Sequence, residues 1–380
     1  MDFFLLFSIS IILFGYGAYV LILTKKLKTN IPDPDFWPEV SFIIPAYNEE
    51  DFLAEKIKNT LACDYPADRL EIIVAADGST DNSKELVESL GIRYENNGAR
   101  LGKGMAMNRA KTYAKNEILI FSDANAMLNT VAIKEIVKPL LNPEYGMSSG
   151  EKKVISKSDA ENASAGEGVY WKYESYLKQR DSDFYTLVAA VGELFGIKKA
   201  NYRDIPANFL LDDFFQTASV LEQGYKIKYT PKALATEYGS LNFVEEIKRK
   251  VRIAAGGYQS MLHFKGLFNP LKNWKITYLF VAHRVLRWTI IPVLYFALPI
   301  YLVYRAAETT HWFYLLASSV YLVYLMAAAI GLYLNKSGKK APFIFNIPFY
   351  ITLMNYCALA GGVKYFTGIK SGAWEKVKRA

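Results

Sequence analysis

Long apolar stretches without charge are the feature that most constrains how this chain can fold. The first runs from Phe3 to Leu23, and three more lie near the C-terminus: Trp288 to Tyr304, Trp312 to Leu334 and Pro342 to Val363. A helix needs about 20 apolar residues to span the hydrocarbon of a bilayer. Four such stretches in one chain predict membrane spans. A buried helix of a soluble protein is the alternative for each of the C-terminal stretches, above all for the short first one.

The charges beside these stretches predict how the chain is oriented. Three lysines follow the first stretch directly: Lys25, Lys26 and Lys28. A signal peptide would carry its basic residues first, so residues 1–24 are predicted to be an uncleaved transmembrane anchor. The positive-inside rule then places the next segment in the cytoplasm. "NKSGKK" fits a cytoplasmic loop between the last two spans, but three C-terminal spans (288–366) would leave the basic tail, 367–380, outside. The side of the tail therefore stays open.

The net charge of +8 is explained by basic clusters beside the apolar stretches, as at an anionic membrane surface. No RNA-binding motif or zinc-finger spacing is present, so a nucleic-acid partner is not predicted. The two cysteines, Cys63 and Cys357, offer neither a disulfide framework nor a metal spacing. The three histidines are scattered and predict no zinc site or catalytic triad.

Residues 39–240 have a different pattern, in which short Ile- and Val-rich runs alternate with helical patterns. The runs are "EVSFIIP", "LEIIVAA" and "EILIFS", and the helical patterns cover Glu49 to Leu61, Ser83 to Leu90 and Lys103 to Ala114. Such alternation predicts a Rossmann-like α/β domain with a mainly parallel sheet and helices on both faces. Residues 241–287 are basic and amphipathic, and are predicted to form helices at the membrane interface.

Each of the three predicted strands ends in acidic residues. These are Glu49, then Asp77 and Asp81, then Asp123. Ligands of such sheets bind at the carboxyl ends of the strands. Acids there would repel a phosphate ligand unless a divalent cation lies between them or the acids contact the base and ribose, so a nucleoside diphosphate with Mg²⁺ or Mn²⁺ fits the pattern. Taken singly, each acid is better explained as a helix cap, and only the three together favour a binding site.

Two common phosphate-binding motifs are excluded. The first strand is followed by "AYNEE" instead of the G-x-G-x-x-G of dinucleotide-binding domains. "GARLGKG" is one residue short of a Walker A motif, lacks the following Ser or Thr and has no strand before it.

An ordered set of motifs resembles the GT-A nucleotide-sugar domain of family 2 glycosyltransferases. The set comprises "FIIPAYNEE", "LEIIVAADGSTDNS", "GKGMAMNRA", "IFSDANAML", "GELFGIKKA", "LLDDF" and "KRKVRIAAGGYQ", followed by the spans and "SGAWEKVKR". It covers nearly the whole chain and is most similar to membrane-bound synthases of poly-N-acetylglucosamine, hyaluronan and cellulose. The resemblance implies a multi-pass protein of the cell (inner) membrane with its GT-A domain in the cytoplasm.

The resemblance also implies roles for individual residues. Asp213 would be the catalytic base, Asp123 and Asn125 would hold Mg²⁺ or Mn²⁺, and Glu193 and Asp212 would contact the acceptor. The donor, with UDP favoured over GDP, would be bound by Pro45, Tyr47, Glu49, Asp77, Gly78, Lys103, Asp123, Arg249, Lys250 and Arg252.

The chain departs from the family pattern at two motifs. The D-x-D element reads Asp123-Ala124-Asn125, which leaves metal binding more dependent on oxygens of the substrate. The Q-x-x-R-W element reads "RKVRI", with Arg249 and Ile253 in place of Gln and Trp. Loss of the Trp weakens the case for processive synthesis. The same basic run is alternatively an ordinary membrane-surface patch.

The predicted reaction is transfer of a sugar by single displacement, with inversion, to a polysaccharide or a lipid acceptor near the membrane. It could require partner subunits of an envelope polysaccharide system. The alternative from another functional class is a catalytically inactive, membrane-anchored module that binds a nucleotide sugar.

Overall fold

The computed structural model describes residues 2–23, 31, 33–155, 161–239, 243–339 and 341–368, with the backbone alone for 161–170. Most of the predicted basic tail and the three lysines after the first apolar stretch lie outside this range.

One sheet of eight strands forms the centre of the protein. The strands are Val40–Ala46 (β1), Leu70–Ala76 (β2), Arg93–Asn96 (β3), Ile118–Ser122 (β4), Met127–Leu128 (β5), Tyr145–Ile155 (β6), Leu194–Lys198 (β7) and Lys226–Tyr238 (β8). Their order is β3-β2-β1-β4-β7-β6-β8-β5. The first four run parallel where they pair, β7 is antiparallel to both of its neighbours, and β6 and β8 are parallel. The predicted mixed, mainly parallel sheet is confirmed.

Thirteen α-helices accompany the sheet in the described part of the chain. They are Phe3–Gly15 (α1), Glu50–Leu61 (α2), Ser83–Ser89 (α3), Lys103–Tyr113 (α4), Ala132–Leu140 (α5), Glu161–Phe184 (α6), Asp212–Glu222 (α7), Phe243–His263 (α8), Pro270–Phe280 (α9), Leu286–Trp288 (α10), Ile290–Thr309 (α11), Trp312–Lys336 (α12) and Phe343–Phe366 (α13). The three helical patterns identified in the sequence correspond to α2, α3 and α4 within one residue at each end.

Alternating side chains of the central strands enter two separate cores. On β1, Ile43 belongs to the core that α4, α7 and α9 cover, whereas Phe42 and Ile44 belong to the core that α2 and α5 cover. This alternation follows from the two-residue period of a strand. Because both faces are covered by helices, a ligand would approach the described part of this sheet at the ends of its strands.

The N-terminal segment differs from the predicted single span over residues 1–24. Helix α1 ends at Gly15, and its 13 residues rise about 20 Å, less than the roughly 30 Å of a hydrocarbon core. The chain then turns at Gly17, whose φ is 135°, a value that side chains rarely allow. Beyond this turn Tyr19 is fully buried, and its hydroxyl donates to Asp181 at 3.1 Å. Tyr19, Val20 and Leu23 are therefore part of the protein core, whereas Leu21 and Ile22 between them are exposed.

The C-terminal part contains three helices, α11, α12 and α13, that are long and apolar enough to cross a membrane. Their bounds agree with the three predicted stretches, although each helix is longer than its apolar run. Thr310, with φ of 50°, separates α11 from α12.

Glycines bring α8 into close contact with its neighbours. A Cβ at Gly256 would lie 2.4 Å from Leu211 Cγ, just before α7, and one at Gly257 would lie 2.5 Å from Trp288. From the other side, a Cβ at Gly361 of α13 would lie 2.5 Å from the Cβ of Ala254. Helix α8 is thus packed directly between the start of α7 and the apolar helix α13.

Candidate active site

A cavity of about 270 Å³ lies at the carboxyl ends of the central strands. It is lined by most of the residues that the sequence singled out: Pro45, Tyr47, Glu49, Asp77, Lys103, Asp123, Asn125, Glu193, Asp212, Asp213, Arg249 and Arg252. Two predicted site residues, Gly78 and Lys250, are not among its lining. The strand tips therefore meet at one place, as the parallel sheet predicts.

Two of the acidic residues hold loops in place. Both carboxylate oxygens of Asp77, which is 6% exposed, accept hydrogen bonds from backbone N–H groups of Leu101 and Gly102 at 2.8 to 2.9 Å. Asp81 accepts from the backbone N–H of Glu50 at 3.0 Å and of Ser83 at 3.2 Å. Asp81 therefore caps the starts of two helices, which is the alternative given above for the acids at the strand ends. Asp77 instead fixes the loop that leads into Lys103.

Gly78 serves the same loop through its backbone. Its φ is 71°, and a Cβ there would lie 2.9 Å from both the carbonyl carbon of Ala99 and the N of Arg100. Only a residue without a side chain lets the loop approach so closely.

We expect Gly78→Ala to lower the free energy of unfolding by about 2–4 kcal/mol, because it combines unfavourable φ with a backbone clash. Gly91→Ala is the matched control: its φ is 70°, but a Cβ would meet nothing within 4 Å. Its expected cost is about 1 kcal/mol. Thermal unfolding of both variants measures the difference, and equal costs would contradict the proposed close approach.

An aromatic ring and a guanidinium form one wall of the cavity. The guanidinium carbon of Arg100 lies 3.9 Å from the centre of the Tyr47 ring, a cation–π contact. Arg100 lines the cavity but was not identified from the sequence, because "GARLGKG" was considered only as a Walker A motif and rejected.

Lys103 is the central cation of the site. Its Nζ lies 2.7 Å from Oδ1 of Asp123 and 3.0 Å from Oδ2 of Asp212. Burial opposes the charged form, but the two carboxylates outweigh it and raise the pKa of the Lys103 ammonium above its usual range. Asp212, which is predicted to contact the acceptor, is thus paired with Lys103, which is predicted to bind the donor.

The carboxyl group of Asp213 has a strongly raised pKa. Burial first, then the charge of the neighbouring Asp212, raises its pKa to about 7, against the lowering effect of Lys103. Its Oδ1 accepts the backbone N–H of Phe214 at 2.7 Å, and a Cβ at Gly192 would lie 3.1 Å from its Oδ2. A carboxyl poised near neutral pH in a cleft is suited to accept a proton.

Glu193 belongs to a chain of alternating charges behind Asp213. Its Oε1 accepts from Nζ of Lys152 at 2.5 Å, and the same ammonium contacts Glu237. Arg249 continues the chain, with Nη1 at 3.7 Å from Oε1 of Glu237. Lys152, on β6, was not identified from the sequence, where "EKK" carries no site pattern. Glu193 is thus oriented by a buried ion pair instead of being a solvated turn residue.

A second buried lysine supports the loop that carries Asp123. Nζ of Lys56 donates to Ser122 Oγ at 2.7 Å and to the carbonyl of Ala126 at 2.5 Å. Burial lowers the pKa of Lys56 to about 7, although the charge of Asp123 opposes the shift. Ser122 in turn donates to the backbone carbonyl of Glu193 at 2.8 Å. These contacts couple the β4 tip to β7.

Lys250 does not face the cavity at the strand tips, contrary to its predicted contact with the donor. It is buried, with Nζ 2.7 Å from the hydroxyl of Tyr350 on α13 and 3.3 Å from Glu246. Arg249, Arg252 and Ile253 do line the cavity. At about 100° per residue, Lys250 and Arg252 project from α8 about 160° apart, so helical periodicity explains the difference.

A second and much larger cavity adjoins the first. Its volume is about 1140 Å³, and it extends among α1, α11, α12 and α13. Six residues line both cavities: Gly192, Glu193, Leu211, Asp213, Arg249 and Ile253. Asp213 therefore lies at the junction of the two cavities. The smaller one is the polar cavity at the strand ends, and the larger one is the mainly apolar cavity among α1, α11, α12 and α13.

The oxygen ligands for a divalent cation are few. Within the described residues, no group of three His, Cys, Asp or Glu side chains is placed to hold a metal. The Lys103 ammonium lies between two carboxylates, Asp123 and Asp212, and supplies a positive charge next to Asp123. Asp123 and Asn125 line the cavity together and offer hard oxygen atoms, which fit Mg²⁺ or Mn²⁺ if a diphosphate supplies further ligands.

Comparisons with known proteins agree with this architecture. Residues 41–205 match the family described as "Glycosyl transferase family 2". "Probable glycosyltransferase YdaM" of Bacillus subtilis is 25% identical over 264 residues, which cover 63% of this chain and 60% of that protein. "Poly-beta-1,6-N-acetyl-D-glucosamine synthase" of Staphylococcus aureus is 25% identical over 293 residues, which cover 72% of this chain and 67% of that protein.

A solved structure has the same fold along nearly the whole chain. It is a mannosyltransferase from Pyrobaculum calidifontis in complex with GDP-Man and Mn²⁺, with a TM-score of 0.71 and 21% identity. The alignment covers 96% of this chain and 99% of that one. The likeness therefore includes the sheet and the apolar helices together.

Proposed function

Because residues 41–205 form a glycosyltransferase family 2 domain, we propose that this protein transfers a sugar from a nucleotide sugar to an acceptor hydroxyl presented from its membrane side. The observation that carries the proposal is the position of Asp213. Its carboxyl, with a pKa of about 7, lines both the polar cavity and the larger apolar one. A proton acceptor is needed at the point where donor and acceptor meet.

The reaction is a single displacement at the anomeric carbon. The acceptor hydroxyl forms the new C1–O bond while the bond from C1 to the diphosphate oxygen breaks, and the hydroxyl proton passes to Asp213. The nucleoside diphosphate leaves with the bonding electron pair. One displacement inverts the anomeric centre, so an α-linked donor gives a β-linked product, which NMR of the product can test.

The donor would occupy the cavity at the strand tips. Tyr47, with Arg100 beside its ring, would flank the base and ribose, and Lys103, Arg249 and Arg252 would face the diphosphate. Arginine suits this ligand because its planar fork binds two oxygens at once. A Mg²⁺ or Mn²⁺ ion held by Asp123 and Asn125 would supply further neutralisation of the leaving diphosphate. UDP is favoured by the sequence resemblance alone.

The proposal is tested with the full-length protein in detergent or nanodiscs. It is incubated with a panel of UDP- and GDP-sugars, with Mg²⁺, Mn²⁺ or EDTA, in the presence of membrane extract, and nucleotide release and product size are recorded. Donor-dependent labelling of an extractable product supports the proposal. The proposal is overturned if no sugar donor yields a glycosylated product while the protein is folded and binds nucleotide.

Two basic residues of α8 should behave differently in nucleotide binding. We expect Arg252→Met to weaken binding of the nucleoside diphosphate about 10- to 100-fold, the value of a charge-assisted contact. Lys250→Met should leave this affinity unchanged but lower stability by about 1–3 kcal/mol, because Glu246 loses its buried partner. Titration calorimetry and thermal unfolding separate the two effects. Lys248→Met, on an exposed part of the same helix, is the control.

The pattern also decides between the site and an ordinary membrane-surface patch. A patch would make all three substitutions equivalent and would leave nucleotide affinity intact in Arg252→Met. In that case the assignment of α8 to the donor is wrong.

A further inference from the structure

A cluster of charged side chains lines the larger cavity, which Asp213 also lines. Glu174 and Lys178 come from α6, while Arg284 and Arg287 come from the segment that joins α9 to α11. Nη2 of Arg284 lies 3.3 Å from Oε2 of Glu174, and Nη2 of Arg287 lies 2.5 Å from Oε1. Within the same segment the backbone forms one π-helical turn, Val281–Val285. Such turns are frequent at functional sites.

The cluster has more positive than negative charge. Of the side chains that the structure describes here, Lys178, Arg284 and Arg287 face two carboxylates, Glu174 and Glu151, which leaves one positive charge in excess. Among the neighbouring described groups, Glu193 and Glu237 are balanced by Lys152 and Arg249, while burial raises the pKa of Asp181, which contacts His283. An anion would complete this arrangement.

Lys178 is the group that most requires a further partner. Its side chain is 2% exposed and lines the cavity, and among the side chains that the structure describes its Nζ has no hydrogen-bond partner. Its ammonium lies 5.1 Å from the centre of the Trp171 ring. This is a cation–π contact and does not replace a hydrogen bond from the ammonium. Burial lowers the pKa of Lys178, against the charges of Glu151 and Glu174. A buried amine without a hydrogen bond is costly in the absence of a compensating ligand.

The rest of the cavity is suited to a hydrocarbon chain. Its walls on α1, α11 and α12 are mainly aliphatic and aromatic. Leu13 of α1 and Val320 of α12 line it and are 60% and 62% exposed, so the cavity is open on this side, towards the surroundings of the apolar helices. A neutral glycan would find few hydrogen-bonding groups along such walls.

We propose that the acceptor is a lipid with a phosphate between its apolar chain and the hydroxyl that receives the sugar. The chain lies among α1, α11 and α12, the phosphate contacts Lys178 with Arg284 and Arg287 nearby, and the hydroxyl reaches Asp213. This inference rests on the proposed function for the identity of the acceptor, but the phosphate subsite can be tested by binding alone.

Binding is measured by native mass spectrometry of the full-length protein with phosphatidylglycerol and with diacylglycerol of the same chains. We expect phosphatidylglycerol to bind at least tenfold more tightly. Lys178→Gln should remove this preference, whereas Lys178→Arg should keep affinity within about threefold. Lys172→Gln, an exposed position on the same helix, is the matched control and should equal the wild type. Inorganic phosphate alone should not compete at millimolar concentration, because it lacks the chain.

Stability distinguishes a ligand site from a structural role. Because Nζ of Lys178 has no hydrogen-bond partner within the described part of the chain, Lys178→Gln should not lower the melting temperature, and its affinity for nucleoside diphosphate should be unchanged. A lowered melting temperature with an unchanged preference for phosphatidylglycerol would overturn the proposal. Equal binding of the two lipids by the wild type would do so too, as would displacement of bound lipid by chitotetraose.

Failure of the proposed function gives a different result. In that case Lys178 would still determine lipid preference, while no nucleotide sugar would yield product. Conversely, transfer to membrane acceptors with a lipid preference that ignores Lys178 would reject the phosphate subsite alone.

Discussion

Replacement of Asp213 by asparagine is expected to lower the rate of sugar transfer about 10²- to 10⁴-fold, the usual contribution of a general base. Asparagine has the same shape and can still accept the backbone N–H of Phe214, so the fold should be retained. Affinity for the nucleoside diphosphate should stay within about threefold of the wild type, because the positive groups that face the diphosphate are unchanged. Steady-state transfer and titration calorimetry measure the two quantities.

The pH dependence gives a second measurement of the same residue. A base must be deprotonated to act, and the pKa of Asp213 is about 7. The ratio kcat/KM should therefore fall about tenfold per pH unit below this value and level off above it. Asp212→Asn should move the midpoint to lower pH, since the Asp212 charge raises the pKa of Asp213. A rate that stays near wild type in Asp213→Asn would remove the assignment.

Replacement of Lys103 by methionine is expected to affect both stability and catalysis. The change removes the cation between Asp123 and Asp212 and leaves carboxylates gathered in a half-buried cleft. We expect a loss of about 2–4 kcal/mol in the free energy of unfolding, less than for a fully buried pair because the side chain is 27% exposed. Nucleoside diphosphate should bind at least about tenfold more weakly, as a charge-assisted contact is lost.

The midpoint of the pH–rate profile should move in opposite directions in the Lys103 and Asp212 variants. Lys103 lowers the pKa of Asp213, so its removal shifts the midpoint above 7. Lys111→Met is a suitable control, because this residue is on the same helix α4 but pairs with Asp204 outside the cavity. If Lys103→Met left the midpoint unmoved, the three charges would not be coupled as described.

The local parts of this fold could be predicted from the sequence because their patterns are local. The run "LEIIVAA" has the same first and last residue as β2. Glu49, Asp77 and Asp123, which follow predicted strands, line the same cavity. The membrane-type helices followed from their length and lack of charge. The sequence does not predict strands β6 and β8, because they carry polar residues. Lys152 of β6, for example, is buried against Glu193 and Glu237, which are distant in the sequence.

The site residues at the strand ends could be predicted from the sequence, whereas the buried residues that support them could not. Tyr47, Lys103 and Asp213 carry motif positions, whereas Lys56 and Lys178 are isolated lysines in helices, where a solvated surface is the ordinary expectation. Their burial depends on tertiary packing, for which the local sequence has no signal. Lys250 shows the opposite case, because the helical period of α8 contained the information that it and Arg252 face different sides.

The glycine contacts of α8 have a consequence for how far this protein can be divided. Ala254 meets Gly361 of α13 on one side of α8, while Gly256 meets Leu211, next to Asp212 and Asp213, on the other. A shortened form that ends before the apolar helices would uncover the α13 side of α8 and leave unsupported the helix that carries Arg249 and Arg252. Exchange of α13 for the equivalent helix of a relative would therefore require matched small residues where it crosses α8.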